Sequence, residues 1–337
     1  SQSVPYQIAT AEELANLAKM VNDGETDENT YFELAANIDL GGKEWTPIGT
    51  KDNRFLGKFN GNGNTIKNLT ISGGDSGLFA YSSGEIRSIC LDNVDITASM
   101  NPGNAGGVCV FNSGTIDGCG VLSGNIRCAS SYGGQLGGIC NENSGTVSRC
   151  FSNAALNGAN SAGIVFVNRA NGVVQDCYNA GTIEGSSFAS GINISNYGKI
   201  ATCLNLGVII AEDRTYENGG YEIRGYGICS SNDPDASVEN CYSDSDVCSK
   251  ELVGGSTYNV TAYPRNTAEL CNSSFLSDLN SNWESGSESG ETNGRYRTAI
   301  YTYPSLSGVG TAATRKGGQT YDFSVGAIGK KFEDFTY

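Results

Sequence analysis

Histidine is absent from this sequence of 337 residues, proline occurs six times and methionine twice. Without an imidazole there is no Ser-His-Asp triad, no Cys-His pair and no His-ligated zinc or haem. Basic side chains are scarce as well: 21 Lys and Arg stand against 36 Asp and Glu, a net charge of −15. Nucleic acid and anionic membrane surfaces both need clustered Lys and Arg, so neither is expected as a partner. No apolar run approaches a membrane span, so no membrane insertion is expected. No signal peptide opens the chain, and a secreted protein in mature form would begin in the same way. Cys-x-x-Cys pairs are missing too, and nothing in the pattern calls for a cofactor or a metal.

Glycine, by contrast, is abundant. There are 46, roughly twice ordinary usage. They lack a collagen period and are mixed with Asn, Ser and Thr, which suggests short strands, tight turns and an internal repeat. A unit recurs in which a glycine precedes apolar residues, then a polar turn, then an apolar residue and a cysteine. Its instances begin at Gly77, Gly107, Gly138, Gly163, Gly191 and Gly227, and reach Cys90, Cys119, Cys150, Cys177, Cys203 and Cys241. The 150 residues from Gly77 to Gly227 make five steps averaging 30. Three short β-type segments per unit, with no long amphipathic stretch, predict one coil of a parallel β-solenoid per repeat. Coils stack about 4.8 Å apart and share one core. The longest step carries an insertion around 211–226, expected to bulge as a loop.

Upstream, Tyr31–Leu40, Phe55–Asn60 and Thr65–Ile71 read as earlier, irregular coils. Before them Thr10 and Glu13 form a capping box, with Leu14, Leu17, Ala18 and Val21 on one face of a helix stopped at Asn22-Asp23-Gly24. Such a helix caps open strands that would otherwise recruit other chains. A second short helix is expected at Thr267–Leu279, a loop at Ser281–Gly294 and a strand at Tyr296–Tyr303. The tail beyond Leu306 carries Tyr321, Phe323, Val325 and Ile328 with no partner in the repeat.

Several of these segments together resemble a known family. They are Ile8–Lys19, Ile38-Asp-Leu-Gly with Trp45-Thr-Pro-Ile-Gly49, Phe55–Ile66, the repeated Gly-Leu-Phe-Ala…Ser-Gly-Glu-Ile, and Thr267-Ala-Glu-Leu through Leu306. In that order they look like the GLUG-motif proteins of bacterial cell surfaces, over about residues 6–306. The cysteines depart from the pattern, standing where apolar residues are more usual, and the tail has no counterpart. The resemblance implies a right-handed parallel β-helix exported to the bacterial cell surface, commonly in adhesin-like proteins, with no catalytic residues.

Twelve cysteines in an exported chain invite a disulfide framework. Their spacing argues otherwise. Six fall at one coil position and Cys109, Cys140 and Cys229 fall two residues after the coil glycine, so they are expected to point inward as stacked, free thiols. Parallel side-chain vectors suit a bridge poorly. Cys128, Cys248 and Cys271 lie off both ladders, and the spacing leaves them undecided.

Among candidate chemistries, glycoside hydrolysis needs two carboxylates across a groove. Asp92 with Asp95 and Asp244 with Asp246 are the nearest pairs, but both read as solvated turns, as does Asp233-Pro-Asp235 for calcium. Arg87, Arg127, Arg149, Arg169 and Lys199 look scattered, so the chain is expected not to be an enzyme. A stripe is the better candidate. If the cysteines point in, the residues after them (Leu91, Gly120, Phe151, Tyr178, Leu204 and Tyr242) point out. Phe151, Tyr178, Leu204 and Tyr242 would then form an exposed ligand-binding ladder about 15 Å long, unless a loop such as 211–226 covers it.

The expected architecture is one parallel β-helix of eight to ten coils over residues 1–306. A helical cap occupies 1–30, regular coils 77–250, a closing segment 262–306, and a tail or linker 307–337. The expected role is an extracellular, non-catalytic, adhesin-type module binding a glycan or protein. A self-assembling filament subunit using the tail, and a carbohydrate-active enzyme, are the alternatives.

Overall fold

The computed structural model describes residues 5–99, 103–128, 134–216, 221–271 and 274–275, with strand segments at 296–297, 305–306, 312–315 and 319–322. Nearly all of the regular structure is parallel β, in two long sheets of 17 and 15 strands. The longest column stacks ten rungs, from Tyr6–Ile8 through Glu85–Arg87, Thr115–Asp117 and Thr146–Ser148 to Val260–Arg265. The chain is a parallel β-helix, as the repeat predicts.

Stacking in register sets every column. Ile116 sits on Ile86 and under Val147, so each coil lays a β-branched side chain on the one below. A corner follows, where the residue adopts a left-handed conformation: Ser88, Gly118, Arg149, Asp176, Thr202 and Asn240, with φ between 51° and 61°. That conformation is uncommon for residues with a side chain. Here it turns the next residue into the core. In five coils that residue is Cys119, Cys150, Cys177, Cys203 or Cys241, all fully buried.

One cysteine departs from this ladder. Cys90 pairs with Gly120, and Gly120 with Phe151, so Cys90 belongs to the neighbouring outward column and Ile89 fills the inward position. The remaining assignments agree with expectation. Cys109 pairs with Phe79 and Cys140, and Cys229 follows through Val165 and Asn193. None of the twelve cysteines is in a disulfide, and only Cys128 is not buried. Cys248 packs in the main core and Cys271 in a second cluster outside the wall.

The core also holds a polar spine. Asn112 donates to Asn143, Asn143 to Asn168, Asn168 to Asn196 and Asn196 to Asn232, at 2.8–3.0 Å. The same side chains bind their own turns: Asn112, Asn143 and Asn196 accept from the glycine nitrogen two residues on. A shorter spine runs from Asn179 to Asn205 to Ser243. Each amide carries both a donor and an acceptor, so a column of them satisfies itself without water.

The N-terminal end of the core is closed by helix α1, Ala11–Asn22, whose capping box joins Thr10 and Glu13 and which buries Leu14, Leu17, Ala18 and Val21. At the other end helix α2 is one turn, Thr267–Leu270, with helical geometry again at Ser274–Phe275; the rest of the expected 267–279 helix lies outside the described residues. The insertion holds an antiparallel hairpin, Arg214–Thr215 with Tyr221–Glu222. Tyr296–Arg297 pairs with Ser305–Leu306, and Ala312–Arg315 with Gln319–Asp322. Ser281–Gly294, Phe323, Val325 and Ile328 lie outside the described residues.

Candidate functional site

Where a strand leaves the inward cysteine, alternation sends the next residue outward, the next inward and the third outward again. Phe151 and Asn153 therefore flank the inward Ser152; Tyr178 and Ala180 flank Asn179; Leu204 and Leu206 flank Asn205; Tyr242 and Asp244 flank Ser243. This lateral face lies outside the solenoid wall, yet it is not exposed. Phe151 and Leu204 are 0% accessible, Tyr178 1% and Tyr242 5%. The expected exposed ladder exists as a ladder and is buried.

At Tyr242 the closing segment lies over it. Leu270, Cys271 and Phe275 join Cys90, Phe151, Tyr178, Ala180, Leu204, Leu206 and Tyr242 in one cluster, with the Phe275 ring edge-on to Tyr242 at 4.8 Å. The described residues of the 211–226 insertion lie elsewhere. They are tied to the other sheet, where Arg224 donates to the Ser186 carbonyl and Lys250 to that of Ala211. On the last rung the ladder emerges: Tyr263 stacks on the column above Tyr242 and is 42% accessible.

Glycine makes the lower end of this face flat. A Cβ on Gly120 would lie 1.9 Å from the Phe151 ring, so the ring rests on bare backbone of the coil beneath. Phe151 and Tyr178 follow as near-parallel rings, 5.3 Å apart at 16°. Asn153 sits between Leu122 and Ala180 in the adjoining column, 8% accessible, and neither its amide nitrogen nor its oxygen has a partner.

The carboxylate pairs are engaged in contacts with neighbouring coils and with α2. Asp244 is fully buried and accepts from the Thr267 hydroxyl at 2.8 Å, while Asp246 accepts from the Thr267 nitrogen at 3.0 Å. Together they pin the start of α2 to the wall. Asp92 accepts from Ser123 and pairs with Lys67, and Asp95 pairs with Arg127 at 2.6 Å. Asp233 closes its own turn on the Asp235 nitrogen. The basic residues that look scattered in the sequence are matched by carboxylates: Arg149 with Asp117, Arg169 with Glu142 and Lys199 with Glu239 across coils, and Arg87 with Glu85 within one strand. Among the described residues no cluster of three or more Cys, Asp or Glu could hold a metal.

Burial sets the thiol chemistry. It pushes Cys90, Cys109 and Cys229 up to about 12, which keeps them protonated and unreactive. The Cys109 thiol donates to the Phe111 carbonyl and that of Cys140 to Glu142.

A second outward stripe is half-exposed. Tyr81 stacks on Phe111 at 4.6 Å, with the Arg54 guanidinium 5.6 Å from the Tyr81 ring and the Tyr81 hydroxyl donating to Asp75. Burial and that carboxylate raise the tyrosine to about 12. Neighbours occupy both of its ring faces, so only ring edges meet solvent.

No family profile matches the chain. A stretch of 131 residues is 35% identical to a "putative Gly-rich membrane protein" of Evansella cellulosilytica, and one of 138 residues is 30% identical to halomucin of Haloquadratum walsbyi. Each stretch is 36% of this chain but only 15% and 2% of those proteins, so the chain spans a small part of the curated relatives it matches. Among solved structures, a "putative immunoglobulin A1 protease" from Bacteroides ovatus superposes with a TM-score of 0.67 over 91% of this chain and 94% of that one, at 18% identity. At that identity the likeness is one of fold.

Proposed function

We propose that this chain is a rigid, non-catalytic binding module of an extracellular surface protein of the adhesin type. The observation that carries the reading is the lateral face. Four successive coils place Phe151, Tyr178, Leu204 and Tyr242 on the outside of a wall whose own core is already complete. A solenoid needs no second apolar layer to fold, so an apolar row outside the wall, buried as it is in this structure, supports a recognition role for that face. Matched ion pairs between coils support the non-catalytic part, since they hold the outward carboxylates and cations against one another. An extracellular location is consistent with relatives named a membrane protein and halomucin.

A screen of the whole chain against glycans, mucins and matrix proteins, run beside polysaccharide-lyase and protease assays, tests this. Ligand retention without turnover is expected; turnover of any of these substrates overturns it.

Self-association is a second reading, favoured by the contrast between the ends. Helix α1 seals the first rung, whereas Leu252, Val253, Val260 and Ala262 on the last rungs are only partly buried. Light scattering across a concentration series tests it: growth into rods is expected, and a monomer at every concentration removes it.

A further inference from the structure

We propose that Arg54, held on the Tyr81–Phe111 ring stack, anchors a binding site for a glycan that carries a single carboxylate, on a terminal sialate or uronate sugar. This goes beyond the binding-module reading: the rings belong to the 15-stranded sheet, apart from the lateral row, and do not depend on it.

Arg54 differs from the other arginines of the solenoid. Arg87, Arg127, Arg149, Arg169, Arg224 and Arg265 each pair with a carboxylate. Arg54 is half-buried, yet no carboxylate of the described residues pairs with it, Asp52 and Asp75 included. Its guanidinium lies 5.6 Å from the centre of the Tyr81 ring. Asp75, beside that ring, is already engaged: one oxygen accepts from the Tyr81 hydroxyl at 2.8 Å and the other from the Asn104 amide at 3.2 Å. Arg214 also lies over a ring, that of Tyr216, but Glu222 stands opposite it in the hairpin.

The loop that carries Arg54 is fixed in place. At the end of α1 the Asn22 amide donates to the Pro47 carbonyl at 3.1 Å and accepts from the Gly49 nitrogen at 2.7 Å, and the Asn22 carbonyl accepts from the Asn53 amide at 2.8 Å. Phe55, next in the chain, is fully buried, and its nitrogen donates to the Tyr81 carbonyl at 3.0 Å. The Tyr81 ring is held as well, stacked on Phe111 at 4.6 Å and 18°. A cation over an aromatic ring is attracted to it without spending its N–H groups, so the guanidinium fork is positioned and still available.

The fork selects the ligand. A planar guanidinium meets a planar carboxylate through two parallel hydrogen bonds, and one cation balances one monoanion. The net charge of −15 repels polyanions and costs a single carboxylate little. An extended peptide has no strand to join here, because the backbone around the ring is already paired: Ala80 to Ile48, Phe55 to Tyr81, Ser83 to Phe55, and Tyr81 to the Phe111 coil. Recognition therefore falls to side chains, with the carboxylate on Arg54 and the C–H groups of the sugar against the half-exposed edges of Tyr81 and Phe111.

The experiment titrates the full chain by calorimetry with sialyllactose, a xylotriose bearing one glucuronate, the methyl ester of each, and neutral lactose. At least one of the two acids is expected to bind, and its methyl ester, alike in shape but uncharged, about tenfold weaker or more. Arg54→Gln should lose the same factor at an unchanged urea midpoint. Arg54→Lys should recover only part of it, because an ammonium presents no fork. Equal binding of acid and ester, or parent-like binding by Arg54→Gln, overturns the proposal. So does failure of both acids to bind, or Arg54-dependent capture of tetraglutamate alone. Should Arg54→Gln not fold, the ester comparison and Arg54→Lys decide. Retention of neutral glycans or matrix proteins alone overturns this site and leaves the binding-module reading standing; a chain that binds nothing loses both.

Discussion

Cys203 and Leu204 are adjacent in the chain and lie on opposite sides of one wall. The inward column reads Ile89, Cys119, Cys150, Cys177, Cys203, Cys241, nearly uniform, because every coil presents the same narrow interior to it. The outward column reads Cys90, Gly120, Phe151, Tyr178, Leu204, Tyr242, Tyr263, a mixture of small, aliphatic and aromatic side chains. Repetition marks the positions whose environment is set by the fold. Variation marks those whose environment is set by something else, here the closing segment at Tyr242.

Alkaline pH should have the largest effect, acting through buried thiols on both sides, the outward Cys90 included. An unfolded thiol titrates near 9.0, while burial holds the folded Cys109 and Cys229 near 12. Between those values the folded state binds more protons than the unfolded one, so stability falls as pH rises, by roughly 1.4 kcal/mol per thiol per pH unit. Urea midpoints should hold steady up to about pH 9 and drop above it; a flat profile to pH 11 would mean the inward thiols are not buried as described. Next in size is Asn168→Ala. It removes the acceptor of Asn143 and the donor to Asn196, and unsatisfied buried groups cost about 1–3 kcal/mol each, so a loss of about 3 kcal/mol is expected in urea melts. Gly120→Val acts on the outer side, driving a side chain into the Phe151 ring, and should cost about 1–3 kcal/mol. A larger loss from Gly120→Val than from Asn168→Ala would erase the distinction between the two sides. Lys199→Ala, which breaks a half-exposed pair with Glu239, should shift the melt by less than about 1 kcal/mol.

Much of this was legible beforehand. The 30-residue period gave the solenoid, Thr10 and Glu13 gave the start of α1, and the cysteine spacing gave five of six inward positions together with both members of the Cys109–Cys140 step. Cys90 slipped by one because the corner residue varies (Ser88, Gly118, Arg149, Asp176), so no residue type marks where the chain turns inward. The asparagine spine was missed, although Asn-x-Gly at 112–114, 143–145, 196–198 and 205–207 announces it; read singly, each looks like an ordinary surface turn. The aromatic stripe was found, but its burial was not readable. It depends on α2 and Phe275, which come from outside the regular repeat and reach Tyr242 through tertiary contact alone.

The most direct measurement is the alkylation rate of Cys203 against that of the thiol in Leu204→Cys, followed by peptide mapping under native conditions. If the inner side opens only with the whole fold and the outer side opens with the closing segment, the position at 204 reacts much faster, and faster still when Thr267→Val is added, while Cys203 stays at the global unfolding rate. Equal rates at 203 and 204, unmoved by Thr267→Val, would contradict the division of the wall into a structural inside and a separately covered outside.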